Sequence, residues 1–181
     1  VGKFDAGYAT NRVVYAGDLF AKESLQFIEE NKNKPFFLFL SVIVPHANNE
    51  RRQALKDGEE VPDYGIYSNK DWTTPNKGHA AAITRLDSQI GEIMKKLDEV
   101  GLTKKTMMIF TSDNGPQKEG GHDPDFFDSN GPFRGMKRDL YEGGIRVPFI
   151  VRWKGKIKSG KVSNHIGYFG DIMATFAELA G

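Results

Sequence analysis

The sequence predicts an α/β fold with a mainly parallel sheet. Three observations carry this. The run Phe36 to Val44 (FFLFLSVIV) is almost continuously apolar, short for a buried helix and sharply bounded, as a strand buried on both faces would be. Ile83, Leu86, Ile90, Ile93, Leu97 and Val100 alternate spacings of three and four and so form one helical stripe. Two further apolar runs, Thr106 to Thr111 and Val147 to Trp153, follow that stripe, so strands alternate with helices along the chain.

Taken in order, residues 1–15 show no clear period, and Val13-Val14-Tyr15 suits either a helix start or a short strand end. From Ala16 the pattern is helical. Ala16, Leu19, Phe20, Phe27 and Ile28 share one face, with Lys22, Glu23, Glu29 and Glu30 off it. Asn31 to Pro35 ends this helix, because the residue before proline disfavours helical backbone. The strand at Phe36 runs directly into Pro45-His46. His46 to Lys70 is polar and without period, longer than an ordinary connection, which points to a functional loop or a covering flap. Thr74-Pro75 reads as an N-cap with proline at the first helical position. Glu92 and Lys96 are spaced as an i,i+4 ion pair on the outer face, and Gly101 suits the left-handed residue that stops the helix. The strand ending at Thr111 gives way to a turn, Asp113-Asn114-Gly115. Pro148 sits near the start of the third strand, as at a sheet edge. Asp171 caps a last helix with Ile172, Phe176 and Leu179 inward and Gly181 as its stop.

Composition narrows the function. At 181 residues, 39% hydrophobic and 27% charged, the chain can bury one sizeable core and is not of the disordered type. A net charge of +1 gives no global field for nucleic acid or a membrane surface. No apolar run is long enough to span a bilayer. The N-terminus lacks both an initiator Met and a signal-peptide layout, which reads as a mature chain or an excised piece. The absence of cysteine excludes disulfides, thiolate metal sites and a cysteine nucleophile within these residues. The nucleophile elbow of serine hydrolases, the dinucleotide and phosphate-loop glycine patterns, and nucleic-acid-binding signatures are all missing.

The chemistry concentrates between Met107 and Trp153. Asp113-Asn114-Gly115 is first a turn, since Asn-Gly is a strong turn signal. Its chemical reading is a hard-cation site, because a carboxylate and an amide carbonyl are ligands that Ca²⁺ or Mg²⁺ prefers. Calcium takes roughly six to eight oxygens, so this pair would need others from elsewhere. A basic cluster, Arg134, Lys137, Arg138 and Arg146, follows among Gly131, Gly135, Gly143 and Gly144, which permit tight turns and close backbone approach. It reads as a solvated surface or as an anion site in which Lys137 acts as a point charge. His46 is either structural or a proton donor and anion contact just beyond its strand. His122, Asp123, Asp125 and Asp128 match no dedicated metal loop and read as an acidic loop that recognises substrate hydroxyls.

Several stretches, in order, resemble the sulfatase family. Lys34-Pro35-Phe36-Phe37-Leu38 through Val44-Pro45-His46 resembles its segment ending in Pro-His. TRLDSQIGEIMKKLDEVGL with TMMIFTSDNGP resembles its long helix, strand and metal turn, and GPFRGMKRDLYEGGIRVPFIVRWKGKI its lysine segment. The closing HIGYFGDIMATFAELAG resembles its final helix, with Ala174 where proline is common. The likeness is nearest to arylsulfatase A-like and N-acetylgalactosamine-6-sulfatase-like type-I sulfatases.

This resemblance implies an alkaline-phosphatase-like α/β/α sandwich with calcium at the carboxyl edge of the sheet. Asp113 and Asn114 then correspond to calcium ligands, and His46 and Lys137 to residues that contact the sulfate. His122, Asp123 and Arg134 are candidate substrate contacts. The implied substrate is a sulfate ester, most readily a sulfated saccharide, and relatives reside in the periplasm, outside the cell or in lysosomes. The family's formylglycine comes from a Cys/Ser-x-Pro-x-Arg motif that has no counterpart here, and its early calcium-binding Asp pair is also missing. Residues 1–181 therefore resemble the C-terminal portion of a sulfatase catalytic domain that requires the remaining half, and alone they are expected to be inactive. Two other functions stand beside this one: a phosphodiesterase or phosphonate hydrolase of the same superfamily, and a non-catalytic descendant that binds sulfated glycans.

Overall fold

A computed structural model describes residues 7–181; the first six residues, part of the aperiodic start, lie outside the described residues. The elements are α1 (Ala16–Asn31), α2 (Asn49–Leu55), α3 (Thr74–Glu99), β1 (Met108–Thr111), α4 (Glu142–Ile145), β2 (Phe149–Arg152) and α5 (Gly170–Ala180), with a 3-10 turn at Gly65–Tyr67.

Packing of α1 on α3 builds the core. Ile28 of α1 is 1% exposed and meets Ile93 and Leu97 of the α3 stripe, while Leu25, Phe36, Leu38, Leu40, Val100, Leu102 and Met108 close around them. The stripe's first member, Ile83, lies outside this core and is 44% exposed. Polar contacts align the two helices. Arg85 donates to both carboxylate oxygens of Asp18 at 2.7 and 2.6 Å, and the Gln89 amide adds a third bond at 3.0 Å. Lys96 does not pair with Glu92; its Nζ lies 2.6 Å from Glu29 on α1, because the neighbouring helix offers a carboxylate directly.

The ends of α3 follow local chemistry. Thr73, one residue earlier than expected, is the cap, its hydroxyl accepting from Asn76 N at 3.4 Å. Gly101 adopts φ +73°, and Leu102 N reaches back to Leu97 O at 2.8 Å, closing the helix in the left-handed manner expected of a glycine there. At the last helix, Gly170 precedes Asp171 as the first residue. Asp171 accepts from Tyr168 N at 3.0 Å from within the first turn, and Leu179 is 50% exposed rather than inward.

The strands depart from expectation in two ways. First, β1 and β2 pair antiparallel, Met108 opposite Arg152 and Thr111 opposite Phe149. A parallel pair needs a crossover of a dozen or more residues that carries the chain back across the sheet, usually by a helix. Here the return holds only the one-turn α4 and a folded loop. Second, Phe36 to Val44 is extended but pairs with no strand among the described residues. Its side chains still alternate: Phe36, Leu38 and Leu40 pack on the core, while Phe37, Phe39 and Ile43 are 65, 79 and 61% exposed.

The polar stretch after His46 is ordered. Asn48 caps α2 by accepting from Arg51 N at 3.0 Å, and Arg51 is buried against Asp57, with Nη1 3.1 Å from its carboxylate and 2.7 Å from its carbonyl. No helix among the described residues is long and apolar enough to cross a membrane.

Candidate active site

Three consecutive residues after β1 tie together the segments that sequence reasoning singled out. Gly115 N donates to Gly144 O at 2.9 Å, and Lys137 N donates to Pro116 O at 2.9 Å. The Gln117 side-chain amide donates to Pro45 O at 3.1 Å. The Asp113 turn, the lysine loop and Pro45-His46 are thereby brought to one place.

Glycines make this contact possible. A Cβ on Gly115 would lie 2.0 Å from Gly143 O, one on Gly143 would lie 2.0 Å from Gly135 O, and one on Gly144 would lie 2.2 Å from Asp139 O. No side chain fits at those three positions, so backbone lies directly against backbone.

At the turn, Asp113 is exposed, and among the described residues its carboxylate meets neither a cation nor a hydrogen-bond donor. Asn114 donates its amide N–H to Gly115 O at 2.8 Å, which leaves its side-chain oxygen available, and Ser112 Oγ donates to Asn114 O at 2.9 Å, bracing the turn. Two hard oxygen donors at a braced turn suit calcium in kind; they supply only part of a shell of roughly six to eight.

The cationic side is organised by Glu119. Its carboxylate lies 3.6 Å from Lys137 Nζ and also pairs with Arg138. The Lys137 side chain is 18% exposed, so the ammonium is held at a part-buried surface. Arg134 stacks its guanidinium 3.8 Å over the Tyr141 ring. His46 is exposed, and its Nδ1 donates to Ala47 O at 2.8 Å, leaving Nε2 as the nitrogen free to meet a ligand.

His122 sits differently from the substrate contact expected of it. Its side chain is 1% exposed, and Nδ1 lies 2.7 Å from Glu59, so it is a buried partner of that carboxylate with no face to solvent. Asp123 is exposed, its loop pinned where Asp123 N donates to Asn76 Oδ1 at 2.8 Å.

Glu59, which sequence reasoning did not single out, is the centre of a buried cluster. Its Oε1 accepts from His122 at 2.7 Å and from Gln117 Nε2 at 3.0 Å, and its Oε2 lies 3.3 Å from His79 Nδ1. Burial pushes this carboxyl's pKa up, but the hydrogen bonds from His122 and His79 outweigh it and hold the value at about 2. By residue type, Glu59, His79 and His122 could hold a metal ion. The ring geometry argues against one. The two imidazoles are parallel within 2°, with centroids 3.9 Å apart. An imidazole ligates in its own plane, and two stacked parallel planes share no point where one ion could sit. The cluster as folded is a hydrogen-bonded carboxylate. The nearest sequence signal was His79 amid small residues, Gly78-His79-Ala80-Ala81-Ala82, a composition that favours burial; its acidic partner lay in a stretch without period.

The class follows from the architecture: part of an α/β domain in which the turn after β1, the glycine-rich lysine loop and Pro45-His46 are joined by backbone and Gln117 hydrogen bonds. Comparison with known proteins makes this specific. The sulfatase family model matches residues 7–181, and the chain belongs to the sulfatase family, whose members are generally calcium-dependent. It is 33% identical over 172 residues to N-acetylgalactosamine-6-sulfatase of Rattus norvegicus, covering 90% of this chain and 28% of that protein. It superposes on the PsFucS1 sulfatase from Pseudoalteromonas sp. with a TM-score of 0.73 at 30% identity, covering 99% of this chain and 33% of that one. Its TM-score against Ps i-CgsB in complex with k-i-k-neocarrahexaose is 0.75 at 27% identity, over 92% of this chain and 34% of that one. The fold is thus the alkaline-phosphatase-like fold of the sulfatases, represented here by part of an α/β domain, and the chain spans about a third of the length of the proteins it matches.

Proposed function

We propose that this chain is the C-terminal portion of the catalytic domain of a calcium-dependent sulfatase that hydrolyses sulfate esters of saccharides. The observation that carries the proposal is the convergence of Asp113-Asn114, Lys137 and Pro45-His46 through Gly115, Pro116 and Gln117. Asp113 and Asn114 would hold part of the calcium shell, and the ion supplies a Lewis acid that polarises the sulfate oxygens. Lys137 and the Nε2 of His46 supply positive charge and a proton donor toward the sulfate group, where charge develops as the S–O bond breaks. Asp123 and Arg134 are assigned to the sugar. His122 acts indirectly, by holding Glu59.

The saccharide class is supported by a relative named for N-acetylgalactosamine-6-sulfate chemistry and by a structural neighbour solved with a carrageenan oligosaccharide. The formylglycine nucleophile and the remaining calcium ligands are assigned to sequence outside these residues, which contain neither cysteine nor a Ser-x-Pro-x-Arg motif. The test is turnover by the full-length protein of an aryl sulfate and of a 6-sulfated N-acetylgalactosamine oligosaccharide, with calcium present and after chelation. Calcium-dependent release of sulfate is expected. A full-length protein that cleaves aryl phosphodiesters and leaves every sulfate ester intact would overturn the proposal.

A further inference from the structure

We infer that Glu59 and Gln117 are positioning residues for His46, fixing it against the Asp113 turn. The catalytic meaning of this rests on the sulfatase reading; the geometry does not. The Gln117 amide uses all its capacity. One N–H goes to Pro45 O at 3.1 Å and the other to Glu59 Oε1 at 3.0 Å, while its oxygen accepts from Glu119 N at 2.5 Å and Gly120 N at 3.2 Å. An amide bonded on both nitrogen hydrogens and both oxygen lone pairs is held in one orientation.

Each end of this bridge is itself fixed. The carbonyl of Pro45 shares a peptide plane with His46 N, which donates to Ile43 O at 2.8 Å, and the His46 ring is tied to Ala47 O. The bond from Gln117 therefore acts on the plane from which His46 projects. At the other end, His122 and His79 clamp the Glu59 carboxylate, which is 2% exposed at its side chain. The space around it is cut to fit. A Cβ on Gly120 would lie 1.6 Å from Glu59 Oε1, and one on Gly78 would lie 2.5 Å from Glu59 O. An ionised acceptor also makes stronger hydrogen bonds than a neutral one, so a buried carboxylate anchors the amide more firmly than a carboxamide would.

Gln117 belongs to the same short stretch as Asp113, Asn114 and Pro116, whose carbonyl receives Lys137 N. One side chain thus connects the histidine to the proposed metal turn and lysine loop across 72 residues of sequence. A purely architectural Glu59 cluster would hold the loop but would not set the distance from His46 to the oxyanion.

The experiment uses the full-length protein and two variants, Gln117→Met, which keeps length and removes the hydrogen bonds, and Glu59→Gln. Crystal structures of wild type and Gln117→Met are compared, and the inhibition constant of inorganic sulfate is measured for each. Displacement of His46 relative to Asp113 by more than about 0.5 Å is expected, with sulfate bound on the order of tenfold more weakly, since catalytic groups tolerate only errors of that size. The inhibition constant reports each folded site separately, so a mere loss of folded protein leaves it unmoved. If His46 keeps its position in Gln117→Met, or sulfate affinity stays within about twofold, the inference is overturned. Glu59→Gln is expected to act in the same direction. The structural comparison tests the positioning role whether or not the protein cleaves sulfate esters, and wild-type turnover alone tests the sulfatase reading.

Discussion

The imidazoles of His79 and His122 stack in parallel with centroids 3.9 Å apart, and both turn Nδ1 toward the same carboxylate, that of Glu59. An ionised carboxylate can only accept, so each Nδ1 carries a hydrogen. Phe127 packs 5.4 Å from the His79 ring and shields the stack.

This arrangement gives a defined acid response. The Glu59 carboxyl has a folded value of about 2 against an ordinary 4.5, so its stabilising contribution is fully present above 4.5 and is lost as the pH falls toward 2. The contribution is on the order of 3 kcal/mol at about 1.4 kcal/mol per pKa unit. Glu29 is depressed to about 2 as well, but it is exposed and screened by solvent. Urea unfolding of the full-length protein should show wild type and Glu59→Gln converging between pH 4.5 and 2. A gap that stays constant over that window would contradict the ionised state of Glu59.

Gly115→Ala should destabilise by about 2 kcal/mol or more, because overpacking against rigid backbone forces α4 to move. The added carbon would lie 2.0 Å from Gly143 O. Gly101→Ala meets open space and should lose only the left-handed backbone preference, on the order of 1 kcal/mol. Denaturant midpoints of the two variants give the comparison, and equal losses would refute the close-packing argument.

Lys137→Ala in the full-length enzyme should lower turnover by about 10²–10³-fold, the usual loss when one charge-stabilising donor is removed. Lys137→Arg should recover part of this through retained charge, but not all, since the fork of donors differs from a compact ammonium. Initial-rate kinetics on an aryl sulfate decide it. Near-wild-type rates in Lys137→Ala would remove Lys137 from the site.

Asp113→Asn keeps the shape of the turn and deletes a charge, so calcium should dissociate more readily. Elemental analysis after graded chelation should show metal lost at lower chelator concentration than in wild type. Unchanged retention would place the calcium elsewhere.

What the sequence made legible was periodic or punctuated. The α3 stripe was read from its spacing, and Gly101 from its position just past the last turn. The turn at Asp113-Asn114-Gly115 was read from turn-forming residues just past an apolar run, and it is braced by Ser112 Oγ; the roles given to Asp113 and Lys137 rest on the family resemblance. The order of elements led to the sulfatases' α/β fold, but the partner of β1 stayed hidden, since an apolar hexamer does not encode its direction of pairing. The ordering of residues 46–70 was hidden for a related reason: the Arg51–Asp57 pair, six residues apart, follows no helical or strand spacing, and the hydrogen bonds of Glu59 to two distant histidines leave no local pattern. Gln117 had no signal at all, because its role lies wholly in partners far along the chain.

The alternation along Phe36 to Val44 has a practical consequence for handling the protein. Its inner side chains are satisfied, while its outer face offers Phe37, Phe39 and Ile43 to water, beside backbone that no described strand engages. Such an open apolar edge is a template for pairing with any extended chain it meets. Residues 1–181 expressed alone are therefore expected to self-associate through this edge, and sedimentation should show Phe37→Lys with Phe39→Lys shifting them toward monomer; an unchanged distribution would contradict it.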